Sequence, residues 1–341
     1  SNRSWQLVNM IIALDAMGGD NAPQEIISGA IQALEEIPAD VSFKLVGDES
    51  LIQSELDKYQ VDLSRFSIVH TSEVVTMDDP PTAAIRGKKD SSIAIAVKLV
   101  KEGEADALVS AGNTGASVAC CVLKLGRLPG IDRPAIATVI PAPHGKFVLL
   151  DSGANVDSKP EMLNQFSIMG EIYAKAILEL ESPRVGLFSN GSEDGKGNEV
   201  TKATFKLLKE NDYNFIGNVE GTDLFKDKVD VVVCDGFIGN LVLKSCEGIA
   251  KGISGMLKEN IKKRQVRKVG YALSKGAFDE LKEKTDSRAT GGAPLLGVNG
   301  IFIKAHGSSD SYALKNALKV AHELTQKQIN KQIIAGIEQE A

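Results

Sequence analysis

The chain has 341 residues, 43% of them hydrophobic and 25% charged, with a formal net charge of −6. Such a composition belongs to a folded globular protein, its acidic balance is a poor match for nucleic acid, and no apolar run approaches the roughly 18 residues of a membrane span. Its cysteines (Cys120, Cys121, Cys234, Cys246) form no C-x-x-C pair and its four histidines show no zinc-like spacing. A reduced, cytoplasmic chain with no metal site is expected.

Residues 1–9 carry no secretion signal and read as a leader or expression scar before Met10. An apolar run at 10–14 then ends in Asp15 and a glycine-rich turn, and Pro23 opens an amphipathic stretch at 24–36. Pro in the first turn with acids close behind fits a helix start. The same cycle of short apolar run, Gly/Asn/Asp turn and, in most cases, helical pattern recurs at 42–46, 107–110, 147–151, 185–188, 215–216 and 229–234. This alternation predicts α/β architecture with a largely parallel sheet buried on both faces. No repeat of fixed period interrupts it, so residues 10–335 are expected to form a single catalytic α/β unit. From 237 to 285 strand signals vanish. Apolar residues at helical spacing (Leu243, Cys246, Ile249, Ile253, Met256, Leu257) and a second helical stretch at 271–284 predict an inserted helical hairpin over 238–285.

In open α/β sheets ligands bind at the carboxyl ends of strands, and here those ends are rich in Gly, Asn, Ser and Asp. Gly18 and Gly19 follow the first strand; Gly112, Asn113, Thr114 and Gly115 follow another; Asn155, Lys196, Asn218, Gly236, Asn240 and His306 lie in or after later ones. Glycine lets main-chain N–H groups approach an anion, and a helix start adds partial positive charge. Plain turn chemistry explains any one of these turns; the series predicts one large polar cleft for an anion and a polar acyl group. Neither a Walker A sequence nor G-x-G-x-x-G is present, which argues against a nucleotide enzyme. Asp15, Asp151 and Asp235 would repel free phosphate and are expected to bond turn backbone instead.

Asp15-Ala16-Met17-Gly18-Gly19-Asp20, the 110–116 turn, Arg133-Pro134-Ala135, the 151–161 segment and the turns at 235–240, 291–297 and 306–309 resemble, in order, the motifs of PlsX-type phosphate acyltransferases. The resemblance runs from Met10 to about residue 335. It implies a three-layer α/β/α fold of the isocitrate/isopropylmalate dehydrogenase type with a protruding helical hairpin, and a homodimer whose hairpins help form the interface. It also implies transfer of a fatty acyl group from acyl carrier protein to inorganic phosphate, without metal or organic cofactor. Phosphate is already a nucleophile and needs position more than deprotonation; the thioester oxygen needs donors as charge develops on it. Lys196 is then the candidate charged contact to phosphate or oxyanion, against the plain alternative of a solvent-facing lysine. His306 is a candidate donor or acid, or a structural histidine, and Asn113, Asn155, Asn218 and Asn240 are candidate neutral donors. The chain departs from the commoner pattern at Asn21, where many relatives carry His, and at Ser189, where many carry Asn; Asn190 is a candidate substitute. A dehydrogenase on the same fold, or a non-catalytic scaffold binding carrier protein or membrane, are the alternatives.

Between 258 and 275 stand seven basic residues (Lys258, Lys262, Lys263, Arg264, Arg267, Lys268, Lys275) and one acid, Glu259. The plain alternative is a solvated helix face. Lys262, Lys263, Arg264, Arg267 and Lys268 are the candidate dock for an acidic partner, either carrier protein or an anionic membrane surface. Since family members are thought to feed acyl phosphate to a membrane acyltransferase, the lipid role is preferred, with peripheral attachment to the cytoplasmic membrane.

Overall fold

The computed structural model describes residues 10–340, so the reading of residues 1–9 lies outside the described residues. In chain order the strands are β1 (Met10–Asp15), β2 (Val41–Gly47), β3 (Phe66–His70), β4 (Ala107–Ser110), β5 (Ala135–Ala142), β6 (Gly145–Leu150), β7 (Val185–Phe188), β8 (Phe215–Val219), β9 (Val231–Val233), β10 (Ala293–Leu296) and β11 (Ile301–Lys304). The helices are α1 (Gln24–Ala33), α2 (Glu49–Leu56), α3 (Ser92–Lys101), α4 (Thr114–Lys124), α5 (Pro160–Ile177), α6 (Glu199–Leu208), α7 (Gly236–Lys262), α8 (Gln265–Leu273), α9 (Lys275–Thr285), α10 (Ser311–Gln326) and α11 (Ile329–Gln339).

All eleven strands join one sheet in the order β3-β2-β1-β4-β11-β10-β5-β6-β9-β7-β8. Most neighbours are parallel, as the strand–helix alternation predicts; β10 runs against both β11 and β5, and β5 runs against β6. The parallel group β3-β2-β1-β4-β11 therefore points opposite to the group β6-β9-β7-β8, and their carboxyl ends open on opposite edges of the sheet. Alternate residues of the first group feed two layers. Ile12, Leu14, Ala107, Val109, Ile301 and Ile303 pack with α1 and α10 residues such as Ile27, Leu314 and Leu318. Ala13, Leu108 and Phe302 pack on the other face with α3 and α4 residues such as Val97 and Cys120. Burial on both faces is why these strands read as unbroken apolar runs.

Local chemistry sets the helix starts. The carboxylate of Asp48 accepts the N–H of Leu51 at the start of α2, Asn113 caps α4 through the N–H of Ala116, and Asp235 caps α7 through the N–H of Ile238. Helix α7 is 27 residues long, of which only Gly236 and Gly239 are buried, and α8 and α9 bury no residue. The second helical stretch expected at 271–284 is split at Ser274, which ends α8 and precedes α9.

Candidate functional site

Three groups of polar turns gather the residues singled out by the sequence. The first lies at the carboxyl ends of β1, β4 and β11. Leu14 pairs with Val109 and Lys304 pairs with Ser110, so Asp15, Ser110 and Lys304 form a lateral row across three strands, on the face that α3 and α4 cover. Ser110 Oγ donates to Asp15 Oδ2 at 2.6 Å and accepts from the Gly112 N–H at 3.0 Å, which ties the 15–20 turn to the 110–114 turn. A Cβ at Gly18 would stand 2.4 Å from Asp15 Oδ2, so this close approach requires glycine. Gly19 adopts φ +107° against the Gly307 carbonyl, to which Asp20 N–H donates at 2.8 Å. Asp15 is fully buried and its Oδ1 has no hydrogen-bond partner among the described residues. Burial pushes its pKa up, opposed by the bond from Ser110.

Lys304 is 8% exposed, and its ammonium donates to the Ala305 carbonyl. Burial pulls its pKa down to about 8; Asp15 opposes that shift and Lys244 of α7 adds to it. His306 follows, exposed, with Nδ1 2.9 Å from Ser308 Oγ and its pKa lowered by desolvation and by Lys244. Asn113 is heavily committed: its amide donates to the carbonyls of Thr76, Met77 and Asp79 while its oxygen caps α4. Thr114 is exposed on the first turn of α4, and Gly115 packs against Pro81. Asn21 reaches the Ser309 carbonyl at 3.4 Å.

The second group lies at the carboxyl ends of β6 and β9. Asp151 is buried and its carboxylate accepts five bonds: from the N–H groups of Ile136, Gly153, Ala154 and Asn155, and from the Asn155 amide. Burial raises its pKa against the pull of those bonds. The Asn155 amide also donates to the Pro134 carbonyl. Gly236 N–H donates to the Asn155 carbonyl at 2.7 Å, and a Cβ at Gly239 would stand 1.8 Å from the Asp151 carbonyl oxygen, so the start of α7 is clamped onto this loop. Asn240 is exposed on that first turn beside Gly153. A cleft of about 540 Å³ opens here, lined among others by Arg133, Asn155, Lys159 and Glu161. Cys234, just after β9, is buried, and burial, with Asp151 and Asp235 nearby, pushes its thiol well above the usual range.

The third group lies at the ends of β7 and β8. Asn218 is buried, donates to the Glu193 carbonyl at 2.8 Å and leaves its Oδ1 without a partner. Asn190 Oδ1 accepts the Gly197 N–H at 2.9 Å. These two bonds hold the loop that carries the exposed Lys196. Ser189 Oγ is buried without a partner.

Lys196 and Asn218 thus share one group, Asn155, Gly236 and Asn240 a second, and Gly18, Gly19, Gly112, Asn113, Thr114, Gly115 and His306 the first. Strand β7 is five positions from β11, roughly 24 Å at ~4.8 Å per strand, so Lys196 and His306 are not neighbours within one chain. Helix α7 links the first two groups: its first residue, Gly236, lies against the Asp151 loop, and Lys244, eight residues on and about 12 Å along the axis, lies close enough to affect Lys304 and His306. Lys262 ends α7, Lys263 and Arg264 join it to α8, and Arg267 and Lys268 lie in α8, away from all three groups in sequence. Sequence reasoning missed Lys304; its signal was a lone lysine ending a buried strand opposite two other polar strand ends. Among the described residues no three His, Cys, Asp or Glu side chains converge to hold a metal ion, and no helix is long and apolar enough to cross a membrane.

Comparison with known proteins matches residues 10–332 to the family described as "Fatty acid synthesis protein". The chain is 48% identical over 330 residues to a phosphate acyltransferase of Geotalea daltonii, covering 97% of this chain and 95% of that one. It is 50% identical over 333 residues to a phosphate acyltransferase of Halothermothrix orenii, covering 97% and 98%. Among solved structures it resembles a phosphotransacetylase from Streptococcus pyogenes, with TM-score 0.63 at 16% identity over 94% of each chain, a likeness of fold.

Proposed function

Because the chain belongs to the phosphate acyltransferase family, we propose that it moves a fatty acyl group from the thioester of acyl carrier protein onto inorganic phosphate, releasing acyl phosphate for phospholipid synthesis. The observation that carries this reading is the match of residues 10–332 to the family, joined to near-full-length identity of about half with phosphate acyltransferases. In the reaction an oxygen of phosphate attacks the thioester carbon, the C–S bond breaks, and the thiolate leaves with its electron pair and is protonated by solvent. A thiolate leaves with little acid help, so the protein's task is to place phosphate and stabilise the carbonyl oxygen. Lys196, held by the Asn218 and Asn190 loop bonds, is our candidate cation in the third group of turns, and His306 our candidate donor in the first. Gly18, Gly19, Gly112, Thr114, Gly115, Asn155, Gly236 and Asn240 are the candidate neutral lining.

We take residues 10–335 as one catalytic unit of the isocitrate/isopropylmalate dehydrogenase type, with 238–285 as a protruding hairpin. The exposed stripe on α7, with Phe237, Leu241, Ile249, Ile253 and Met256 each more than half exposed, is the reason to expect a homodimer. The protein is expected to work in the cytoplasm, at the membrane face. In the test, purified protein with palmitoyl–carrier protein and phosphate is expected to release free thiol and form a hydroxylamine-reactive acyl phosphate, with activity unchanged by EDTA. Thiol release that does not depend on phosphate sinks the reading.

A further inference from the structure

The most unusual charge in the described fold is Lys304. Lysine is almost never fully buried without a partner, yet this one is 8% exposed, makes no ion pair within 4 Å among the described residues, and has one hydrogen-bond acceptor there, the Ala305 carbonyl. An ammonium carries three donors, so two remain unanswered. The neighbouring carboxylate does not answer them: Asp15 Oδ2 is taken up by Ser110 and its Oδ1 is unpartnered. A nine-tenths-buried cation with free donors, at the carboxyl end of a strand among glycine turns, is arranged for an anion that arrives from outside the fold.

We propose that Lys304 holds the nucleophilic phosphate, with the Asp15–Ser110 pair fixing the two glycine turns that flank it. This deepens the acyl-transfer reading and rests on it. The lateral register places Lys304, Ser110 and Asp15 in one row, so the order of positive charge, hydroxyl and carboxylate is built into β11, β4 and β1. Because Ser110 Oγ donates to Asp15 and accepts from Gly112, the hydroxyl is used up in holding the turns, and the ammonium is the group with donors to spare. Lys244, on the helix that passes this end, adds positive potential, and Asp15 and Asp20 oppose it. His306 follows one residue beyond Ala305, with Glu247 and Lys251 of α7 as further charges acting on it. A site with spare positive charge and a low local dielectric strengthens the hold on a dianion. It also removes solvent from the attacking oxygen. A phosphate oxygen then forms the bond to the thioester carbon while the other oxygens stay on Lys304.

The lysine titrates near pH 8, its cationic form being present below that value and lost above it. The KM for phosphate is therefore expected to rise as pH climbs through 8. The decisive measurement uses Lys304→Gln and Lys304→Arg in the full chain. For Lys304→Gln, a KM for phosphate at least tenfold higher is expected, with the KM for palmitoyl–carrier protein within about twofold. Lys304→Arg should recover part of the loss and move the alkaline limb upward, because Arg stays charged. Independently of turnover, inorganic phosphate should raise the melting temperature of the wild-type protein and not that of Lys304→Gln. If wild-type protein forms acyl phosphate but Lys304→Gln keeps a normal KM for phosphate and a normal phosphate-induced melting shift, Lys304 is not the phosphate ligand. A fall in kcat alone, with phosphate affinity unchanged, overturns it equally. If the wild-type protein transfers no acyl group to phosphate, the reaction itself is wrong, whereas the phosphate-induced melting shift still reads the role of Lys304.

Discussion

At the scale of single residues, the two ways of running an acyl transfer make opposite demands. A covalent route needs a thiolate, and the cysteine nearest the polar turns is Cys234. Its thiol is buried, pushed well above the usual range, and bordered by Asp151 and Asp235; its Sγ lies 3.7 Å from the Asp151 carbonyl, as part of the packing under α7. Such a thiol is a poor nucleophile at neutral pH. Direct attack by phosphate needs only cations and donors. Cys234→Ala is therefore expected to retain most of the activity, while Lys304→Gln, which removes the cation that holds the nucleophile, is expected to lose at least tenfold in kcat/KM for phosphate. Steady-state kinetics of the two variants beside thermal melts would separate the cases, and mass-spectrometric trapping of an acyl-cysteine would overturn direct attack. Asp15 and Asp151 differ in the same way that structural and functional groups often do. Asp151 satisfies its carboxylate with five local donors, whereas Asp15 leaves an oxygen unanswered beside a buried lysine.

At the scale of elements, α7 has two unlike ends. Its first turn is locked to the Asp151 loop through Gly236 and Gly239, while beyond it the helix exposes Leu241, Ile249, Ile253 and Met256. Ile249, Ile253 and Met256 recur at four- and three-residue spacing, and Leu241 lies about two turns before Ile249, so the four share a face. Exposed side chains of this size on one face call for a covering partner, and a second copy of α7 supplies one of matching chemistry. Ile249→Glu with Ile253→Glu is expected to convert a dimer to a monomer in analytical ultracentrifugation, with the melting of the sheet body little changed; a dimer that persists unchanged removes this face from the interface. The strands that sequence made legible are those whose apolar run closes in a Gly, Asn or Asp turn, such as β1, β4 and β7. Strand β3 escaped because it is a half-exposed edge. Strand β10 escaped because Gly291, Gly292 and Pro294 read as a turn, and β5 because it carries Pro141 near its end. Those two strands reverse the sense of the sheet, and with them hidden the turns read as one cleft. Their division between two edges depends on pairings between strands far apart in the chain, which local periodicity does not carry. Lys304 was lost for the same reason: its meaning lies in register with Ser110 and Asp15.

At the scale of the whole molecule, the charge is not spread evenly. The chain carries −6, but the segment 258–275 holds seven basic residues against one acid, so the remainder has 32 basic and 44 acidic residues, a net −12. An acidic body repels an anionic membrane and an acidic carrier protein alike, and a basic segment set apart from it decides which part of the surface meets either partner. That segment runs from the end of α7 through α8 to the first residue of α9, and none of its residues is buried. Between the charges, Val266, Val269 and Leu273 are 83%, 60% and 84% exposed, a surface suited to dip into a lipid interface rather than to pack in the body. Each Lys or Arg near such an interface contributes up to ~1 kcal/mol, fading within a Debye length. Four such charges are expected to give weak, salt-sensitive and reversible attachment to an anionic surface, the role we propose for this segment. Reversing Lys262, Lys263, Arg267 and Lys268 to Glu is expected to weaken sedimentation with anionic vesicles while turnover with soluble carrier protein stays near normal. Vesicle binding that survives the reversal, together with a sharp rise in the KM for carrier protein, would instead make this segment the dock for the protein substrate.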